Sequence, residues 1–129
     1  MRFMAMIKMD ESMPFGQPPP ELFAAIGELG EQATKDGTLL DQGGLLPSAA
    51  GALVRLSGGK VTVIDGPFTE AKELIGGYAV YQYRTKEEAV EQARRFMELH
   101  AEHWPAVEAV CELRQIMEPG DFDPTAFGQ

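Results

Sequence analysis

The segment Ala52-Leu-Val-Arg-Leu-Ser57-Gly58-Gly59-Lys60-Val-Thr-Val-Ile-Asp65-Gly66-Pro67 decides how the rest of the chain is read. Two six-residue runs rich in strand-forming residues flank Gly58-Gly59, the two positions at which a type I′ turn requires positive φ, so the segment forms a β-hairpin. The turn fixes the register: Ser57 faces Lys60, Leu56 faces Val61 and Val54 faces Val63, while Arg55 lies opposite Thr62 on the other face. One face is therefore apolar and the other partly polar, with Leu53 and Ile64 restoring apolar character at its far end.

Downstream, Asp65-Gly66-Pro67-Phe68-Thr69-Glu70-Ala71-Lys72-Glu73 sets ionisable groups on a constrained turn, followed by Gly76-Gly77-Tyr78. Two readings of Asp65 are open. Its carboxylate accepts hydrogen bonds from nearby backbone N–H groups and pins the turn, or it serves as a general acid or base at a pocket mouth. Thr69 is placed to cap a short helical turn. Glu70 and Lys72 are then either a solvated charge run or groups that orient a polar substrate.

Upstream, residues 2–9 read as a strand with Phe3, Ala5, Ile7 and Met9 on one face and Met4 and Met6 on the other. The prolines 18–20 precede a helical pattern over 21–35, built on Leu22, Ile26, Leu29 and Ala33, with Gly37 as its stop. A second strand is expected over 39–46, bent or bulged at Gln42-Gly43-Gly44. The backbone N–H groups of Gly43 and Gly44 are candidates to line a pocket.

Beyond the hairpin, residues 77–84 alternate as a strand, with Tyr78 and Tyr81 as candidate ligand-contacting side chains on opposite faces, alongside Phe68 from the turn. Thr85 and Glu88 form a capping-box pattern for a helix that ends near Trp104-Pro105, with Ala89, Ala93, Phe96 and Met97 as its buried stripe. His100 and His103 close that helix. His100 is expected at the boundary of the sheet-facing stripe and His103 towards solvent; their spacing specifies no third ligand, and no metal site is expected. A last strand covers 110–117, and residues 119–129 form a tail or arm after a single domain of residues 1–118.

The order predicts an α+β ferredoxin-like sandwich with an inserted hairpin, two helices covering one face of an antiparallel sheet. The Met4/Met6 and Tyr81/Tyr83 patterns suggest an apolar opposite face, for which a second copy of the chain is the simplest cover.

Composition narrows the partners. Twenty acidic residues against eleven basic ones give a net charge of −9, with no basic run, which disfavours nucleic acid and anionic membranes. No apolar stretch approaches the roughly 18 residues of a membrane span, and MRFMAMIKMD is no secretory leader, so a cytoplasmic protein is expected. Cys111 is the single cysteine, which excludes an intrachain disulfide and a thiolate zinc cluster; its apolar surroundings predict an inert thiol. No nucleotide-binding glycine signature or nucleophile elbow is present, and no cofactor is expected.

The run Leu40-Asp41-Gln42-Gly43-Gly44-Leu45-Leu46-Pro47, the strand Val61 to Asp65, the Asp-Gly-Pro-Phe-Thr-Glu stretch and Gly76-Gly77-Tyr78 together resemble the YCII-related, DGPF-domain family over most of residues 1–118. The resemblance implies a ferredoxin-like subunit pairing into a dimeric α/β barrel, with a cleft near the aspartate that matches Asp65. It also implies a histidine–aspartate pair, but no histidine precedes His100, and the region matching the family's histidine runs through Glu21 to Ile26. Glu21 is the available acidic substitute.

Two functions follow as expectations. One is a small lyase, isomerase or hydrolase acting on a polar organic substrate, with Asp65 transferring a proton and Glu70 or Lys72 orienting the substrate. The other is a non-enzymatic homodimeric protein that binds a small ligand or regulates a partner.

Overall fold

The structure, a computed structural model, describes residues 1–12, 18–67 and 73–121. Its elements are β1 (Arg2–Met9), α1 (Pro20–Lys35), β2 (Leu39–Gly44), β3 (Ala52–Ser57), β4 (Lys60–Asp65), β5 (Leu74–Gln82), α2 (Lys86–His103) and β6 (Val110–Gln115). Four strands form one antiparallel sheet in the order β2-β5-β1-β6, and β3 and β4 form a second sheet of their own. With the hairpin set aside, this is the ferredoxin-like βαββαβ order, as expected.

Strand alternation decides which face the helices cover. Phe3 pairs with Tyr81 and Gln115, and Ala5 pairs with Ala79 and Leu113. Ala5 and Tyr81 pack with Ala33 of α1 and Leu39 of β2, with Cys111 and Leu113 against them. Phe3, Leu22 and Ala89 are buried as well. Small residues at positions 5, 33 and 89 let the helices approach the sheet closely, and the large side chains fill the gaps between them.

Local chemistry sets the helix ends. Pro20 occupies the first turn of α1, where its missing N–H costs no hydrogen bond, so the helix starts one residue earlier than the apolar spacing predicts. The Thr85 hydroxyl accepts the Glu88 N–H at 3.2 Å and caps α2, which stops at His103 before Pro105.

The hairpin has the expected register throughout, and Gly58 and Gly59 have φ of 57° and 75°. Two other strands differ from the sequence reading. The irregularity of β2 falls at Leu40, since Leu39 pairs with Tyr81 and Asp41 with Val80, while Gly43 and Gly44 stay in the ladder. In β5 the strand begins at Leu74, because Lys8 and Met9 continue to pair with Ile75 and Leu74 past an extra residue, Gly76. Tyr83 falls beyond the strand's end at Gln82.

The resemblance implied a dimeric α/β barrel, and the structure corrects this. The main sheet is open, with β2 and β6 as its two edges, and it neither closes nor curls. The face away from the helices is also less apolar than expected. Tyr81 lies buried on the helix side, stacked on Tyr83 at 5.8 Å between ring centroids. Met4, Met6, Tyr78 and Val80 make the open face apolar along β1 and β5. Towards β6 it carries charge: Lys8 pairs with Glu112 at 3.2 Å and Glu73 at 3.7 Å, and Arg114 reaches the second Glu112 oxygen at 3.2 Å. These cations hold the Glu112 carboxyl below its ordinary range, with the Lys8 hydrogen bond the largest cause.

No described helix is long and apolar enough to cross a membrane. Among the described residues no cluster of three His, Cys, Asp or Glu side chains is arranged to hold a metal ion.

Candidate functional site: a cavity between the helices and the sheet

Between the start of α1, the last two turns of α2 and the sheet lies a cavity of about 480 Å³. Its apolar wall is built from Ile7 and Met9 of β1, Leu22, Phe23 and Ile26 of α1, and Phe96 of α2, with Trp104 beyond that helix. The floor is glycine-rich, formed by Gly43-Gly44 of β2 and Gly76-Gly77 of β5. Glycines there keep the space open on the helix side, since any side chain pointing that way would fill part of it.

On the opposite side of the floor, space is already taken. A Cβ on Gly43 would stand 2.9 Å from the Tyr78 ring, whereas Gly77, paired with Ile7, faces the cavity, where a Cβ would stand 3.2 Å from the Gly43 carbonyl. The Gly-Gly pairs therefore serve two faces at once: the ring of Tyr78 packs across Gly43, and the backbone of both strands borders the cavity.

Among the described residues the polar groups at the cavity are few. His100 is only 8% exposed, and its Nδ1 lies 3.0 Å from the carbonyl oxygen of Phe96, one turn earlier in α2. The two rings tilt against each other at 4.8 Å between centroids. Gln42 reaches in beside Gly30, where a Cβ would meet its amide at 3.4 Å. Burial pushes the Tyr81 phenol above its ordinary pKa. Burial likewise raises the Cys111 thiol, which lines the same cavity, so it stays protonated and weakly nucleophilic.

Of the residues singled out in the sequence, Gly43, Gly44, Tyr78 and Tyr81 all border this cavity, Tyr78 with its ring on the far side of the floor, across Gly43. Asp65 does not. It is exposed at the end of β4, paired through its backbone with Ala52, and no side-chain hydrogen bond of its own is present among the described residues. Phe68, Glu70 and Lys72 lie outside the described residues. Glu21 is exposed in the first turn of α1, and no hydrogen bond joins it to Asp65.

What the Asp65-Gly66-Pro67 run does locally is clear from Gly66. Its N–H donates to the Gly51 carbonyl at 2.9 Å, the Gly66–Pro67 peptide is cis, and a Cβ at Gly66 would collide with the Ser48 carbonyl. Ser48 begins a single 3-10 turn over Ser48–Ala50 and is held by Glu11, whose carboxylate accepts from the Ser48 N–H and hydroxyl, each at 2.7 Å. The glycine of the motif thus lets the hairpin base seat against this turn.

Sequence reasoning undervalued His100. The signal was present: Ala89, Gln92/Ala93, Phe96 and His100 follow helical spacing, which puts the imidazole on the buried stripe and not at its boundary.

A sequence model of the YCII-related domain matches residues 1–117. The chain is also similar to an uncharacterized protein of Rhizobium meliloti (strain 1021), 40% identical over 50 residues. That match covers 39% of this chain and 40% of the length of the other.

Proposed function

This chain belongs to the YCII-related domain family, and we propose that it binds a small organic molecule with a largely apolar body in the cavity between the helices and the sheet. The Asp65-Gly66-Pro67-Phe68 run supports placing it in the DGPF branch of the family. The observation that carries the binding reading is the cavity itself. At about 480 Å³ it falls within the roughly 300–1,000 Å³ of small-molecule sites, and it combines an apolar, aromatic wall with few polar groups, the usual composition of such sites.

On this reading the ligand differs from the polar molecule that the acidic turn suggested. The Asp65-Gly66-Pro67 run marks the hairpin base, and the cavity lies across the sheet from the charged open face. A thermal-shift screen of small aromatic and alicyclic compounds tests it, followed by ¹⁵N amide spectra of any hit. Shifts at Gly43, Gly44, Gly76 and Gly77 support the cavity; hits that perturb other regions overturn it. Chemical analysis of each hit before and after incubation separates binding from turnover, and a hit converted by wild-type protein but not by Asp65→Asn restores the proton-transfer role of Asp65.

A second reading, that the chain works as a homodimer, is favoured by the hairpin. Val54, Leu56, Val61 and Val63 share one hairpin face and are 65–73% exposed. A two-stranded hairpin alone is marginally stable in water, so a bare apolar face of this kind gains from being covered. The hairpin strands carry Arg55 and Lys60 and no carboxylate before Asp65, on a chain of net charge −9. That complementarity favours another copy of the same acidic protein as the cover. Light scattering at micromolar concentration should give about twice 14.1 kDa, and Val61→Lys should shift the mass to one chain; a wild-type monomer overturns this reading.

A further inference from the structure

We propose that His100 is the polar recognition group of the cavity, its Nε2 accepting a hydrogen bond from a ligand that carries a hydroxyl or N–H donor on an aromatic or alicyclic body. This rests on the cavity being a ligand site. The tautomer follows from the partner of the other ring nitrogen. Nδ1 lies 3.0 Å from the Phe96 carbonyl oxygen, and a carbonyl only accepts, so Nδ1 carries the proton. In the neutral imidazole this leaves the lone pair on Nε2.

Nε2 has no protein partner among the described residues, and His100 takes part in no ion pair there. A buried acceptor left without a partner carries a desolvation cost. The atom is nevertheless not sealed in: Gln92 Nε2 is the one buried, unpartnered side-chain atom closed to solvent among the described residues. His100 Nε2 therefore opens onto the cavity whose wall the ring forms. Its orientation is fixed twice over, by the hydrogen bond to the preceding turn and by the tilted contact with Phe96. The result is a preset acceptor amid the aromatic side chains of Phe23, Phe96 and Trp104.

That arrangement distinguishes two ligands of equal size. In an apolar cavity without an acceptor, toluene binds more tightly than phenol, because the phenol hydroxyl loses its water without replacement. An acceptor aimed into the cavity reverses the order by supplying that hydrogen bond.

The test uses phenol and toluene as probes on the ¹⁵N-labelled full chain, read through backbone amides and the ring nitrogens of its two histidines. Both probes should shift the amides of Gly43, Gly44, Gly76 and Gly77. Phenol alone should move the His100 Nε2 resonance, and His100→Phe should weaken phenol about threefold to tenfold while leaving toluene unchanged or tighter. If both probes shift the glycines but Nε2 responds to neither, the role of His100 is overturned and the cavity stands. If neither probe shifts the glycines, the cavity reading falls and this proposal falls with it. The ring-nitrogen measurement on wild-type protein keeps the test decisive even where the variant folds poorly.

Discussion

Gly66 rests against Ser48 so closely that the Ser48 carbonyl occupies the space a Cβ at position 66 would need. Neither group can move easily. The Gly66 N–H is bonded to the Gly51 carbonyl, and the Ser48 carbonyl accepts the Gly51 N–H, both at 2.9 Å. Gly66→Ala should therefore lower unfolding stability by about 1–3 kcal/mol, the usual cost of overpacking. Urea denaturation followed by circular dichroism measures it, and an unchanged midpoint would show that the hairpin base yields freely.

Glu11 holds the other side of the same turn through its paired hydrogen bonds to Ser48. Glu11→Ala leaves the buried Ser48 without this acceptor, and because Glu11 itself is exposed the loss should be about 1–2 kcal/mol. Combined with Gly66→Ala, the two losses should add to less than their sum, since both substitutions loosen one turn.

Arg2 grips Glu118 with two nitrogens, at 2.7 and 3.2 Å. That hydrogen-bonded pairing holds the Glu118 carboxyl below its ordinary value. A carboxylate with a depressed folded-state pKa adds stability above the unfolded-chain value and loses it as the pH falls through the lower folded value. The stability gap between wild type and Glu118→Gln should thus be present at neutral pH, close in acid and shrink in high salt, because the pair is solvent-facing. A gap that persists in acid would mean that Glu118 acts through packing instead of charge.

Gly43 lies beneath the Tyr78 ring, where an added Cβ would come within 2.9 Å. Gly43→Ala should cost about 1–3 kcal/mol, and much of that cost should vanish when Tyr78 is also truncated to Ala. A double-mutant cycle showing no coupling would indicate that the ring swings aside without penalty.

These relationships differ in how far the chain announces them. Gly58-Gly59 between two alternating runs dictated the hairpin pair by pair, because a two-residue turn leaves one register. Thr85 and Glu88 marked the start of α2 for a similarly local reason, a hydroxyl three residues from the N–H it caps. The extra residues at Leu40 and Gly76 were not legible. A bulge depends on what the neighbouring strand offers, and pairing partners such as Lys8 and Ile75 are far apart in sequence. For the same reason the alternation of residues 77–84 could not show that Tyr81 turns under the helices while Tyr78 covers Gly43.

By itself the amino-acid sequence determined the elements and their order, since apolar period, turn glycines, prolines and helix caps act over a few residues each. It thereby also determined a ferredoxin-like topology with a hairpin inserted between β2 and β5. Only the tertiary structure decided where a ligand has room. The acidic run after Asp65 concentrates charge in the sequence, whereas the cavity arises where two glycine pairs, from strands about thirty residues apart, meet under the ends of two helices. His100 became part of it because the packing of α2 on the sheet left its ring buried at the cavity with its Nδ1 satisfied.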